Sequence, residues 1–232
     1  MFRNFVHATI SVALVICLNT TSDADIVVTV SDNGSHLRFE WNGNLQINNL
    51  PQAAGTFPGT FNWMTPSLGR MHGLTGMTDF YDFQSLVLAP YGTGNDFLMD
   101  GVKTGDSFGL TIPSGNPNEA PARLYVPTGY TNQTLFGSVT FTGETMASQG
   151  IDLSMPVVYD FGSVGTVTFQ GGPWPTILGD VNLDGVVTFL DIAPFISLLA
   201  AGGFQEEADI DQNGVVDFLD IAALIDILSA AP

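Results

Sequence analysis

The sequence predicts a mainly β protein: an antiparallel, jelly-roll-like sandwich followed by a small all-α C-terminal domain. Three observations carry this. Residues 25–170 are rich in Gly, Thr, Ser and Asn, poor in charge, and built of short alternating runs between turn signals. Beyond residue 190 the period changes. Apolar residues fall at Ile192, Phe195, Ile196 and Leu199, and again at Ile221, Leu224, Ile225 and Leu228, the i, i+3, i+4, i+7 spacing of a helical face. Between the two regions lies Gly-Gly-Pro-Trp-Pro-Thr (171–176), which reads as a short linker with Trp174 packing onto one side. The expected units are a leader at 1–24, a β-sandwich at 25–170, a linker at 171–178 and the helical domain at 179–232.

The leader reads as a secretory signal. Arg3 is its only basic residue, Ile10–Leu18 is an apolar run too short to span a bilayer, and Ser22-Asp23-Ala24 suits cleavage before Asp25. Cys17 lies inside it, so the mature chain has no cysteine. Ile16 stands where a lipid-attachment motif needs a small residue.

In the β region, Ile26, Val28 and Val30 alternate with Val27 and Thr29. Asp32-Asn33-Gly34 is a hairpin turn signal, and Leu37, Phe39 and Trp41 then alternate with His36, Arg38 and Glu40. Asn42-Gly43-Asn44 turns the chain again into Leu45 and Ile47. Residues 51–84 show no clean period and suit a long loop or irregular strands. Strand-like runs return at Ser85–Ala89, Phe108–Ile112, Ala122–Val126, Gly137–Phe141 and Gly165–Gln170. Glu144–Gly150 suits one helical turn.

The C-terminal region repeats itself. GDVNLDGVVTFLDIAPFISLLA from Gly179 and ADIDQNGVVDFLDIAALIDILS from Ala208 open on Asp180 and Asp209, 29 residues apart. The spacing is that of a cation loop with ligands at positions 1, 3, 5, 7, 9 and 12. Copy one places Asp180, Asn182, Asp184, Val186, Thr188 and Asp191 there; copy two places Asp209, Asp211, Asn213, Val215, Asp217 and Asp220. Position 7 offers a backbone carbonyl, and the others offer oxygen side chains suited to a hard ion. Gly185 and Gly214 stand at position 6, where the chain turns through a left-handed conformation. Val187 and Val216 follow at position 8, placed for a short apolar contact between the loops. Pro194 falls in the first turn of its helix, where it costs little, and Gly202-Gly203 ends that helix.

These duplicated loops, with Asp at position 12 and one helix after each, resemble a type I dockerin. The resemblance covers about the last quarter of the chain. It implies two Ca2+ ions and docking onto cohesin-like proteins in extracellular, often polysaccharide-degrading, assemblies. Cellulosomal dockerins often carry hydroxyl residues at positions 10 and 11 and basic ones at 17 and 18. Here those positions hold Phe189-Leu190 and Phe218-Leu219, then Ile196-Ser197 and Ile225-Asp226.

A second resemblance covers ARLYVPTGYTNQTLFGSVTFTGETMASQGI (122–151) and VGTVTFQ (164–170). This layout is similar to a β-rich domain of exported bacterial proteins with PEP-CTERM sorting tails. It implies architecture and export, and no reaction.

Composition bounds the partners. The net charge of −18 argues against nucleic acid and anionic lipid, which need clustered Lys and Arg. No second apolar segment suits a membrane anchor. Catalytic signatures are lacking: no nucleophile elbow, phosphate loop or zinc pattern occurs. His36 faces outward on the first hairpin, and His72 lies among glycines. Glu40, Glu119 and Glu144 qualify as glycosidase carboxylates by residue type alone. Asp79, Asp82 and Asp96 sit in turn-like sequence, where Asp commonly caps its own backbone, with Ca or sugar binding as the alternative. Trp41 falls in the core register, and Trp63 is placed to stack on a sugar. The expectation is a secreted or cell-surface bacterial protein, non-catalytic, whose tail binds two calcium ions and docks or stabilises the sandwich. The alternative is a component of extracellular polysaccharide degradation, either a glycosyl hydrolase or a carbohydrate-binding module.

Overall fold

The computed structural model describes residues 24–50, 53–83, 90–94, 101–112 and 121–230. The leader expected at residues 1–24 therefore lies outside the described residues except for Ala24.

The first hairpin follows its pattern. Strand β1 (Asp25–Asp32) pairs antiparallel with β2 (His36–Gly43), placing Val28 opposite Trp41 and Val30 opposite Phe39. Alternation sends Ile26, Val28, Val30, Leu37, Phe39 and Trp41 to one face, and all six are buried. Gly34 closes the turn at φ 88°, a left-handed angle that a Cβ would strain. After β2 the chain makes no further strand at Leu45 and Ile47. Leu45 is buried with its N–H donated to Tyr130 Oη at 2.8 Å, and Ile47–Asn49 form a 3-10 turn.

Residues 51–84, expected to be loop or irregular strand, contain four strands: β3 (Gly55–Pro58), β4 (Phe61–Thr65), β5 (Arg70–Leu74) and β6 (Met77–Phe83). Their composition hides them because their glycines serve packing. A Cβ on Gly73 would lie 2.4 Å from the Trp41 ring, so only glycine fits beneath it. The remaining strands are β7 (Val102–Gly105), β8 (Phe108–Thr111), β9 (Ala122–Pro127), β10 (Leu135–Thr142), β11 (Val157–Asp160) and β12 (Thr166–Gly171). Thus β8, β9, β10 and β12 match expected runs, while β7 and β11 were not foreseen. The run at 85–89 lies outside the described residues.

The strands form two six-stranded sheets, β11-β12-β1-β2-β10-β7 and β3-β6-β9-β8-β5-β4. The sandwich is antiparallel, as expected, except at one pairing: β12 runs parallel to β1, with Val167 beside Ile26 and Phe169 beside Val28. That register lets β12 bury Val167 and Phe169 on the same face as the first hairpin. The sheets share one core. Trp41 of the first sheet meets Phe108 of the second at 6.0 Å, and Phe39 makes edge contacts with Tyr91, Phe141 and Phe169. Glu144–Gly150 is a run of turns with one helical-type bond, Gln149 N–H to Thr145 O.

The tail carries two helices, α1 (Ile192–Ala201) and α2 (Phe218–Ala230). Gly202 ends α1 in the left-handed conformation, and Gly203 N–H caps the Leu198 carbonyl. Phe195 and Leu224 centre a small core with Val181, Ala208 and Ile210. Leu198, Leu199, Ile227 and Leu228 pack on it, whereas Ile196 and Ile225 are exposed. The buried stripe is therefore turned from the expected one: it runs 195, 198, 199 and 224, 227, 228. Val187 and Val216 both pack against this core but form no β-bridge among the described residues. The linker crosses the outer face of the first sheet. Gly172 N–H donates to Val30 O at 3.0 Å, and the Trp174 ring lies 6.3 Å from that of His36.

Candidate metal centre

The two loops repeat one hydrogen-bond programme. At position 1, Asp180 accepts from the N–H groups of Asp184 (3.0 Å) and Gly185 (2.8 Å), and Asp209 accepts from those of Asn213 (3.0 Å) and Gly214 (2.9 Å). At position 12, Asp191 accepts from Asn182 and Thr188, and Asp220 from Asp211 and Asp217, all at 2.8–3.1 Å. Positions 3, 5 and 9 each accept from the N–H two residues on, in both copies. Each loop is thus a ring of side-chain oxygens wrapped by its own backbone.

The backbone angles repeat too. Gly185 and Gly214 both sit at φ 90°, while Leu183 and Gln212 at position 4 sit at 61° and 58°. The glycines were legible in the sequence. The strained position 4 was not, since neither Leu nor Gln advertises a left-handed angle. In the second loop, oxygens of Asp209, Asp211 and Asp220 lie within 4.8 Å of one another.

Residues 178–229 match the model of the Dockerin type I domain family. No curated protein and no solved structure matches the chain. Dockerin domains bind calcium and dock onto cohesins in extracellular assemblies.

Within the dockerin segment the donors are all oxygen, a set that suits a hard cation and not a thiophilic one. Asp180, Asp191 and Asp220 are fully buried, and Asp209 nearly so. Burial pushes the Asp180 carboxyl up to about 6; the Gly185 N–H opposes this, and the Asp184 and Asp191 carboxylates reinforce it. An ion placed among these oxygens would relieve that cost. Phe189 and Phe218 at position 10 are 75% and 78% exposed, and Leu190 and Leu219 beside them are also exposed. Neither pair helps form the tail core. Among the described residues, no helix is long and apolar enough to cross a membrane.

The other sequence candidates do not converge. Glu40 pairs with Arg38, and Asp82 with Arg123 at 2.7 Å. Asp79 accepts from Thr56, Thr128 and Gly129, and Glu144 from Ser148 and Gln149. Glu119 and Asp96 lie outside the described residues. Trp41 is fully buried, so it stacks on no ligand. Trp63 packs on His72 at 4.2 Å. His72 is buried, with Nε2 2.8 Å from Thr111 Oγ1 and Tyr125 on its other side. Burial, aided by Arg70, lowers its pKa to about 3, so it stands neutral. His36 is half-buried against Trp174 rather than freely solvated, because the linker folds back over β2.

Sequence reasoning missed Arg38 and Asn33. Arg38 Nη1 donates to the Gly185 carbonyl at 3.1 Å, and Asn33 Nδ2 donates to the Leu183 carbonyl at 3.3 Å. The available signal was scarcity. The chain has only five Lys and Arg, one of them in the leader, and Arg38 lies on the outward register of the first hairpin.

Proposed function

We propose that the chain is an exported calcium-binding protein. Its dockerin-type tail, residues 179–232, takes up two calcium ions and docks or stabilises a non-catalytic β-sandwich, residues 25–170, at the bacterial cell surface or in an extracellular assembly. One ion is held by Asp180, Asn182, Asp184, the Val186 carbonyl, Thr188 and Asp191. The other is held by Asp209, Asp211, Asn213, the Val215 carbonyl, Asp217 and Asp220. The observation that carries this reading is the matched hydrogen-bond ring at equal positions of both loops. The partner is a cohesin-like protein or another extracellular protein that offers an apolar surface to Phe189, Leu190, Phe218 and Leu219.

Seven carboxylates stand in the twelve ligand positions, with no lysine or arginine among them. Empty loops of that charge repel themselves, so metal uptake and tail folding are linked. Titration calorimetry on the full chain tests the stoichiometry, and circular dichroism with and without chelator tests the linkage. Two calcium sites, and a helix signal that falls on chelation while the sheet signal holds, are expected. Absence of heat at millimolar calcium, or an unchanged helix signal, defeats the proposal. A polysaccharide-release assay on the full chain, with no sugar freed, is the outcome expected of a non-catalytic sandwich.

A further inference from the structure

We propose that the first tail repeat is seated on the sandwich by Arg38 and Asn33 in both calcium states, so that calcium orders the second repeat alone. This rests on the calcium reading above and adds to it an inequality between the two loops.

The loops share an internal bonding pattern and differ in surroundings. In the first, Asn182, Leu183, Asp184 and Val186 are half-buried and Gly185 is buried. In the second, Asp211, Gln212, Asn213, Gly214 and Val215 are all exposed. The two position-6 glycines show the contrast most directly. A Cβ on Gly185 would lie 2.5 Å from Thr140 Oγ1 and 2.8 Å from Arg38 Nη1, whereas one on Gly214 would meet nothing within 4 Å.

The seat is built on rigid parts. Arg38 (β2) and Thr140 (β10) are opposite each other in adjacent strands, and both are buried. The guanidinium is fixed on three sides. Nη1 reaches Thr140 Oγ1 and the Gly185 carbonyl, while Nε and Nη2 both donate to Glu40 Oε2, at 3.3 and 3.1 Å. A planar fork held this way loses little freedom on donating to a loop carbonyl. Asn33 adds the Leu183 carbonyl from the hairpin turn. Its own Oδ1 is anchored by the N–H groups of Ser35 and His36.

Charge points the same way. The first loop carries three carboxylates beside a guanidinium. The second carries four, and no Lys or Arg follows Arg123 in the chain. Glu40 offsets part of the Arg38 charge, so the seat acts chiefly through its hydrogen bonds. Without metal, the first loop keeps external partners for its backbone. The second has none among the described residues outside the tail, and its repulsion is the larger.

Hydrogen–deuterium exchange on the full chain, in calcium and in chelator, tests this. Chelation should speed exchange across 209–220 by about tenfold or more, the scale of one charged hydrogen bond, and leave 180–191 nearly unchanged. In Arg38→Met, chelation should speed both loops, and calcium should restore both. Equal acceleration of the two loops in the unaltered protein overturns the inequality and leaves the calcium reading standing. So does an Arg38→Met first loop that stays protected in chelator. Exchange that ignores calcium in both loops defeats the calcium reading itself. Peptides from β8 and β9 report whether the variant sandwich is intact; if it is not, the unaltered protein decides alone.

Discussion

Replacing Asp220 by alanine should destabilise the tail in calcium and leave it nearly unchanged in chelator. Asp220 is fully buried and accepts the Asp211 and Asp217 N–H groups at 3.1 and 2.9 Å. Hydrogen bonds to a charged group contribute about 1.5–3 kcal/mol each, so losing both costs roughly 3–6 kcal/mol. Against this stands repulsion. Oxygens of Asp220, Asp209 and Asp211 lie within 4.8 Å of one another. At an effective dielectric near 20, each such pair repels by roughly 3 kcal/mol, and by less for the exposed Asp211. In chelator the two effects nearly cancel, and the variant tail should melt close to the unaltered one. In calcium the repulsion is already neutralised, so only the loss remains, and the ion loses its position-12 ligand as well. Calorimetry should then find one calcium site where the unaltered chain has two. Thermal melts followed at the helix signal should show a lowered midpoint in calcium only. Asp226→Asn, an exposed acid on the same helix, is the control and should change neither. The reasoning fails if Asp220→Ala keeps two sites of unchanged affinity, or if it destabilises the tail as much in chelator as in calcium.

Gly73→Ala should destabilise the sandwich by about 1–3 kcal/mol in urea denaturation, since the new methyl would meet a fully buried Trp41 ring at 2.4 Å. The ring has little room to move, since Gly137 also lies close to it, where a Cβ would stand 2.7 Å from its Cζ2. His72 sets a pH dependence. Its folded-state pKa of about 3 lies below the ordinary 6.5, so the unfolded chain takes the proton first as pH falls. Stability from this group is complete above pH 6.5 and is lost downward toward pH 3, at about 1.4 kcal/mol per unit. Between pH 7 and 5 the native sandwich should therefore lose about 2 kcal/mol more than His72→Gln, and parallel curves would refute this. Phe189→Ser and Phe218→Ser should each shift stability by less than about 0.5 kcal/mol, because the rings touch no core. A large drop in the calcium-loaded melting point would show that they are structural.

What could be read from the sequence divides by the range of the interactions involved. The first hairpin was legible because alternation and an Asn-Gly turn are local, and β1 and β2 differ by only one turn. The two helices and the φ of Gly185 and Gly214 were legible for the same reason. By contrast, β3 to β6 owe their strand state to partners far along the chain. Phe80 pairs with Tyr125, and His72 with Gly109. Glycine at 73 erases the local strand signal of β5 while being what the packing requires. The parallel β1–β12 pair is longer-range still and leaves no trace in either strand alone. The helix faces were misread by one position. Ile196 and Ile225 fit the apolar spacing, but the core they were assigned to is narrow and filled by Leu198, Leu199, Ile227 and Leu228.

The same division explains why the joint between sandwich and tail was invisible. Its donors, Asn33 and Arg38, stand in the first hairpin, and its acceptors are main-chain carbonyls at 183 and 185. A carbonyl has no sequence identity, so no pattern in the tail could announce it. What the sequence does contain is the symmetry the joint breaks. The repeats offer an oxygen ligand at each matching position, and their loops match in hydrogen bonds and backbone angles, yet only one can occupy the outer face of the first sheet. Internal duplication made the loops chemically alike; attachment at one end of the pair makes them physically different. A metal response shared equally by both repeats would require the loop beside Arg38 to be as free as the loop beside open water, and the burial of Gly185 against Thr140 argues that it is not.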